Sequence, residues 1–340
     1  MTDNVYRVGV VGVGMVGDEL IRVLEERQFP ISELRIMARS ERKEELAGKG
    51  RQVLAASEEQ FEGLDVVLFA GTEGEKGASQ LYGWHAVEQG AFVVDNGKDY
   101  RMDDRVPLVV PEVNAEAMRD HQGFIANPNC STTQMVVALA PLHREAGIKR
   151  VVVSTYQSVS GSGRGGVRAL DSQREAAHGN GESELGPYPY PIYDNVIPHV
   201  GSPSDEFPGY YSEEVKMIKE TRKILGAPDL PVTATCARVP VAISHSEAVN
   251  VELGQDLSEA EARAILAEAP GVEVVDDPAE ATYPLPTDAG GKDPVYVGRI
   301  RKDPSRPRTL DLWCVADNLR KGAALNAVQI AEKAIEMDLL

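Results

Sequence analysis

Three cysteines occur in 340 residues, Cys130, Cys236 and Cys314, and one of them has the setting of a nucleophile. Cys130 lies in Asn127-Pro128-Asn129-Cys130-Ser131-Thr132-Thr133, and a helix is predicted to follow over 134–146. A thiolate at a helix N-terminus is stabilised by unpaired N–H groups and by the helix dipole, which makes sulfur nucleophilic near neutral pH. Cys236 and Cys314 sit inside strand patterns and read as small core residues. His245 is the matching proton carrier, because imidazole titrates near neutrality and this one stands just before an alternating strand. Arg238 precedes it by seven residues, so an extended or bent segment would bring a carboxylate-binding guanidinium to the same cleft. A structural ion pair is the plainer use of Arg238.

A second chemistry is written near the N-terminus. Gly12-Val13-Gly14-Met15-Val16-Gly17 matches G-x-G-x-x-G between a predicted strand and a predicted helix. Glycines at Gly12, Gly14 and Gly17 let the backbone approach a pyrophosphate, which then meets the helix N-terminus beside Met15 and Val16. A tight strand–helix turn without ligand is the alternative. The second strand ends in Ala38-Arg39-Ser40 rather than in an acidic residue. Arg39 and Ser40 can hold a 2′-phosphate that a carboxylate would repel, so the cofactor expected is NADP. Glu41, and the chance that Arg39, Arg42 and Lys43 form a solvated loop, weigh against it.

The elements that must position these residues change character along the chain. Strands predicted at 6–12, 34–38, 65–70, 92–95 and 107–111 alternate with helices near 17–29 and 78–89, which implies a doubly wound parallel sheet. After about residue 149 the strands at 150–157, 247–253 and 309–315 are long or strictly alternating, as in antiparallel sheets with one wet face. Helices are expected over 165–178, 212–225, 258–267 and, finally, 323–337. The fold class is α/β, a Rossmann-type sheet with a second α+β domain. The stretch 178–208, rich in Gly, Pro and Tyr, reads as a long ordered excursion or an interface arm.

Bulk properties narrow the function classes. A chain of this length exceeds one ordinary core. The charge, 35 − 53 = −18, disfavours nucleic acid and acidic lipid as partners. No apolar run spans a membrane, no signal peptide is visible, and three cysteines suit a reducing cytoplasm. No clustered His/Cys spacing suggests a metal.

Seven motifs in order carry a family resemblance: Asp95-Asn96 with Arg101, Val110-Pro111-Glu112-Val113-Asn114, Asn127 to Thr132, Tyr156 to Gly161, Arg238 to Val241, His245-Ser246-Glu247, and Ala316 to Ala324. Over nearly its full length the chain resembles the aspartate-semialdehyde dehydrogenase family. The resemblance implies an NADPH-dependent reduction of L-aspartyl 4-phosphate to L-aspartate 4-semialdehyde through a Cys130 thioester, within lysine, methionine, threonine and diaminopimelate biosynthesis. It implies that His245 is the acid/base, Gln157 orients the thioester, Arg238 clamps the α-carboxylate and Glu213 meets the α-ammonium. Arg101 and Lys216 resemble phosphate ligands, and Asn129 a further substrate contact. Ser160, Gly161 and Asn318 resemble nicotinamide-side contacts. It also implies an NADP-binding domain over 1–129 completed by 319–340, a catalytic and dimerisation domain over 130–318, and a homodimer or dimer of dimers. Glu213 and Lys216, three apart on a helix, share one face. The alternatives are another acyl-phosphate reductase, such as N-acetylglutamyl-phosphate reductase, or a non-catalytic NADP-binding scaffold. Two departures stand out: the glycine loop is one residue short and lacks a hydroxyl, and Ser244 replaces the family's usual glycine before His245.

Overall fold

The computed structural model describes residues 5–71, 74, 76–179 and 181–340. The chain forms two compact units, one holding the residues up to Asn129 and then Ala323–Leu340, the other Cys130–Gly322.

The first unit is built on β1 (Tyr6–Val11), β2 (Ile31–Ala38), β3 (Arg42–Leu46), β4 (Lys49–Ala55), β5 (Val66–Phe69), β6 (Phe92–Asp95) and β7 (Phe124–Ala126). The sheet order is β3-β4-β2-β1-β5-β6-β7, parallel except for the β3–β4 pair. The order reverses direction on either side of β1, so the end of β1 opens a crevice for a ligand. Helix Met15–Glu26 starts there and buries Leu20, Ile21, Val23 and Leu24 on one stripe. Helix Leu325–Glu336 returns to this unit, where Arg27 pairs with Glu332 (2.7 Å) and Asn326 donates to the carbonyl of Val109 (3.0 Å).

Two strand expectations change. Residues 107–111 make only an isolated bridge, Leu108 to Ala126, and β7 takes the outer parallel place. Pro107 and Pro111 lack the N–H groups a ladder needs, and Pro111 instead opens the short helix Pro111–Asn114. The stretch after Arg39 becomes the β3–β4 hairpin, whose turn holds Ala47 and Gly48 at φ 50° and 71°.

The second unit carries β8 (Ile148–Gln157), β9 (Val232–Arg238), β10 (His245–Leu253), β11 (Val272–Val274), β12 (Val295–Lys302) and β13 (Thr309–Ala316) in the order β11-β12-β13-β10-β8-β9. The three central pairings are antiparallel, and the outer β8–β9 and β11–β12 pairs are parallel. The excursion after helix Gly163–Ala177 packs on that helix: Tyr188, Ile192 and Ile197 join Val159, Ala169 and Leu170 in a small core. Gln173 pins it, accepting from the backbone N–H groups of Ile192 (2.7 Å) and Tyr193 (2.9 Å). Among the described residues no helix is long and apolar enough to cross a membrane.

One buried carboxyl in the first sheet gives the unit a pH dependence. Asp95 ends β6, and burial pushes its carboxyl up to about 6, although the Gly97 N–H, Ser79 and Arg101 favour its anion. A raised carboxyl means that the folded state prefers the protonated form. Its stabilising contribution is present below the unfolded value near 3.8 and is lost as pH rises through about 6. Asp95→Asn should therefore gain stability relative to the parent by roughly 2–3 kcal/mol more at pH 7.5 than at pH 3.5. Denaturant unfolding at the two pH values measures this; an equal difference at both would refute it.

Candidate active site

Strand direction gathers the reactive residues of the second unit. Gln157 and Arg238 are register partners at the C-terminal ends of the parallel pair β8–β9. His245 begins β10, which runs antiparallel to β8, and lies opposite Ala316 at the end of β13. One end of the sheet thus receives Gln157, Arg238 and His245, with Asn318 two residues beyond β13. Helix Ser212–Ile224 adds Glu213 and Lys216, whose side chains are paired at 3.2 Å. Gln157 joins that pair by donating Nε2 to Glu213 Oε1 (3.3 Å).

The loops leaving β8 and β9 bond to each other. Val239 N–H donates to the Gln157 carbonyl (3.0 Å), Val159 N–H to Val241 (2.8 Å) and Ser160 N–H to Ala242 (3.2 Å). Arg238 Nη1 donates to the Ser158 carbonyl (2.6 Å). Gly161 then sits where both reactive groups converge. A Cβ there would stand 2.7 Å from Arg238 Nη1 and 3.2 Å from His245 Nε2. Arg238 and His245 therefore lie against the same glycine.

His245 is fully buried. Its Nδ1 lies 3.1 Å from the Ser158 N–H and 3.1 Å from Ser158 Oγ, while Nε2 has no protein partner. Burial first, and the Arg238 charge second, depress the imidazole to about 3, against a smaller opposing effect of Glu213. At neutral pH the ring is therefore uncharged, with Nε2 close to Gly161. Ser244 precedes it at φ 72°, the left-handed conformation that the usual glycine would adopt freely. Its N–H donates to Asn318 Oδ1 (3.0 Å).

Cys130 is the first residue of its helix, Cys130–Ala146, which starts four residues earlier than the sequence pattern indicated. It is partly exposed, whereas Cys236 and Cys314 are buried and their thiols are pushed up by burial. Gly322 makes room beside it, since a Cβ at 322 would lie 2.7 Å from Cys130 Cβ. One helical turn on, Gln134 Nε2 donates to the His245 carbonyl (3.4 Å), tying the thiol's helix to the imidazole's strand.

In the first unit a cavity of about 530 Å³ lies at the β1 crevice, walled by Gly12, Val13, Arg39, Arg42, Lys76 and Tyr82 among others. Gly14 caps the adjoining helix, and Met15, Val16 and Gly17 form its first turn. A side chain at Gly17 would collide with the Gly12 carbonyl oxygen, so the turn requires glycine there. Ser40 offers its carbonyl to Arg42 (3.0 Å). Among the described residues the wall carries cations and no carboxylate. Arg101, also in this unit, is buried and donates to the Asn96 carbonyl (2.7 Å); Asn129 is buried at the unit's end.

Sequence reasoning gave Ser158, Gln134 and Gly322 no task of their own. Ser158 and Gly322 stood inside quoted motifs, but only the folded loops show what their atoms touch.

A glycine-loop Rossmann sheet in one unit and, in the other, a thiol at a helix start with an arginine and a histidine side by side at one sheet end define a dinucleotide-dependent oxidoreductase of the semialdehyde dehydrogenase class. Family models agree: residues 7–121 match the semialdehyde dehydrogenase NAD binding domain, and 139–321 the semialdehyde dehydrogenase dimerisation domain. The chain is 46% identical to aspartate-semialdehyde dehydrogenase of Aquifex aeolicus, covering 98% of this chain and 99% of that one. It is 44% identical to the Bacillus subtilis enzyme of the same name, covering 98% of each. The crystal structure of aspartate semialdehyde dehydrogenase II from Vibrio cholerae, complexed with ASA, superposes with a TM-score of 0.91 at 40% identity, over 98% of this chain and 99% of that one. The chain belongs to the aspartate-semialdehyde dehydrogenase family.

Gly161 is the sharpest test of the cleft. Its backbone is compatible with alanine, so Gly161→Ala should fold with a melting temperature within roughly 3 °C of the parent. The added methyl displaces Arg238 or His245, and kcat/KM should fall about 100-fold. Unchanged steady-state kinetics would show that the two side chains do not converge there.

Proposed function

We propose that the chain catalyses the NADPH-dependent reductive dephosphorylation of L-aspartyl 4-phosphate to L-aspartate 4-semialdehyde, as a cytoplasmic homodimer or dimer of dimers. The observation that carries this reading is the convergence of Arg238 and His245 over Gly161, at the sheet end tied through Gln134 to the helix that begins at Cys130.

The substrate has a carboxylate, an ammonium and a phosphate, and the chain has a group for each. Arg238 holds the α-carboxylate through its planar guanidinium. Glu213 holds the α-ammonium, and Lys216, with Arg101, holds the phosphate. The Glu213–Lys216 pair at 3.2 Å keeps both charges compensated until substrate ions replace the partner. Cys130 thiolate attacks the acyl carbon, phosphate departs and a thioester forms on sulfur. Gln157 orients the thioester carbonyl. Bound NADPH supplies the hydride. His245 Nε2 then provides the proton for the developing hemithioacetal oxygen, and collapse of that adduct releases aldehyde and thiol.

The cavity beside the glycine loop fits this cofactor. Its glycines admit a pyrophosphate, while Arg39 and the neighbouring Arg42 and Lys76 suit a 2′-phosphate with no carboxylate to oppose it. Ser40 and, in the other unit, Ser160, Gly161 and Asn318 complete the proposed cofactor contacts. Three free cysteines suit a reducing compartment, and the dimerisation-domain match supports self-association.

The test is formation of NADPH from aspartate semialdehyde and phosphate. Cys130→Ala should reduce it to background with NADP binding retained, and near-normal turnover would end the thioester reading. N-acetylglutamyl phosphate should not be turned over; comparable rates on it would transfer the chain to that activity. Arg39→Ala should raise KM for NADP about 10–100-fold, the loss of one charge-assisted contact, and leave KM for NAD within about twofold. Equal effects on both cofactors would remove the 2′-phosphate assignment.

A further inference from the structure

Ser158 is bonded through every polar atom it has. Its carbonyl accepts from Arg238 (2.6 Å), and its N–H points at His245 Nδ1 (3.1 Å). Its hydroxyl lies 3.1 Å from the same Nδ1, 3.1 Å from Asn318 Oδ1 and 2.9 Å from Ser160 Oγ. Asn318 Oδ1 is itself fixed as an acceptor by the Ser244 N–H (3.0 Å) and the Ser160 hydroxyl (2.9 Å).

Proton accounting at Nδ1 allows two arrangements of this network. In one, Nδ1 is a lone pair receiving the Ser158 N–H and hydroxyl, so the ring proton is on Nε2. In the other, the hydroxyl turns to Asn318 Oδ1, Nδ1 carries the proton and donates it to Ser158 Oγ, the Ser158 N–H gives up Nδ1 as its acceptor, and Nε2 is a lone pair. The Ser158 N–H alone would lock the first form, because an N–H cannot accept.

We propose that Ser158 is the positioning residue that sets the tautomer of His245: with its hydroxyl turned to Asn318, Oγ accepts Nδ1–H and leaves Nε2 a lone pair that can take a proton and later return it. This rests on the reading of His245 as the proton carrier. In the base state the S–H bond of Cys130 breaks, and the proton joins the Nε2 lone pair while Nδ1–H is held by Ser158 Oγ. In the acid state the same Nε2–H bond breaks toward the hemithioacetal oxygen, so no proton is left over. Catalytic histidines need a third group to orient them, and where other sites use a carboxylate, this one uses a neutral hydroxyl backed by an amide. A neutral partner keeps another anion out of a cleft that must receive a carboxylate and a phosphate. The charged groups that bear on the ring are Arg238 and Glu213, and neither touches Nδ1. Asn318 thereby acquires a task besides the nicotinamide contact inferred from sequence.

The experiment is ¹⁵N NMR of the histidine ring nitrogens in the whole protein. In the parent, both nitrogens of His245 should show shifts between lone-pair and protonated values. In Ser158→Ala, Nδ1 should move to the lone-pair value and Nε2 to the protonated one. Its kcat should fall about 100-fold with KM within about twofold, and alkylation of Cys130 by iodoacetamide near pH 7 should slow. Identical ring shifts in parent and variant would overturn the proposal, as would a parent locked with Nδ1 unprotonated. The second outcome needs no variant, so a Ser158→Ala protein that failed to fold would not shield the idea. Because the readout is the imidazole itself, it stays separate from the Cys130→Ala test of the thioester.

Discussion

Buried backbone must find hydrogen-bond partners, and in the second unit that requirement shapes the reactive end of the sheet. Once β8 and β9 end, no ladder remains to satisfy residues 158–161 and 239–242. They satisfy each other, through Val159 to Val241 and Ser160 to Ala242. The Ser158 carbonyl accepts from both the Gly161 N–H (3.2 Å) and Arg238 (2.6 Å), and the Ser158 N–H points at His245 Nδ1 (3.1 Å). Guanidinium and imidazole are thus anchored to one backbone turn before any substrate arrives.

The same economy handles charge. A chain with net charge −18 presents an unwelcoming field to an acyl phosphate. Beside the many exposed Lys and Arg, the three cations proposed for substrate are buried or partly buried. Lys216 is held by Glu213, Arg238 by a carbonyl oxygen, and Arg101 by the Asn96 carbonyl.

Legibility in the sequence followed the range of the forces involved. The glycine loop, the alternating strands β10 and β13 and the helix bearing Glu213 and Lys216 are written in local spacing, and the structure has them at those positions. The start of the Cys130 helix was misread by four residues because Ser131, Thr132 and Thr133 are poor helix residues by propensity; burial in the helix's first turn overrides that preference. The hairpin after Arg39 was missed because its polar strands lack alternation and its turn uses Ala47 with positive φ, which no residue type announces. The coupling of Ser158 to His245 spans 87 residues and depends on how two loops cross. Nothing in local periodicity encodes such a contact.

Ser244 shows where strain enters this scheme. A non-glycine residue at φ 72° costs about 1–2 kcal/mol, and its buried hydroxyl has no partner to offset that. The turn persists because both neighbours demand it. Asn318 takes the Ser244 N–H, and His245 immediately begins an eight-residue-deep pairing with β13. Relaxing Ser244 to negative φ would swing its N–H off Asn318, and with it the acceptor that the Ser158 and Ser160 hydroxyls share. Backbone strain at one serine is therefore coupled, through one amide oxygen, to the hydrogen bonding of the His245 imidazole.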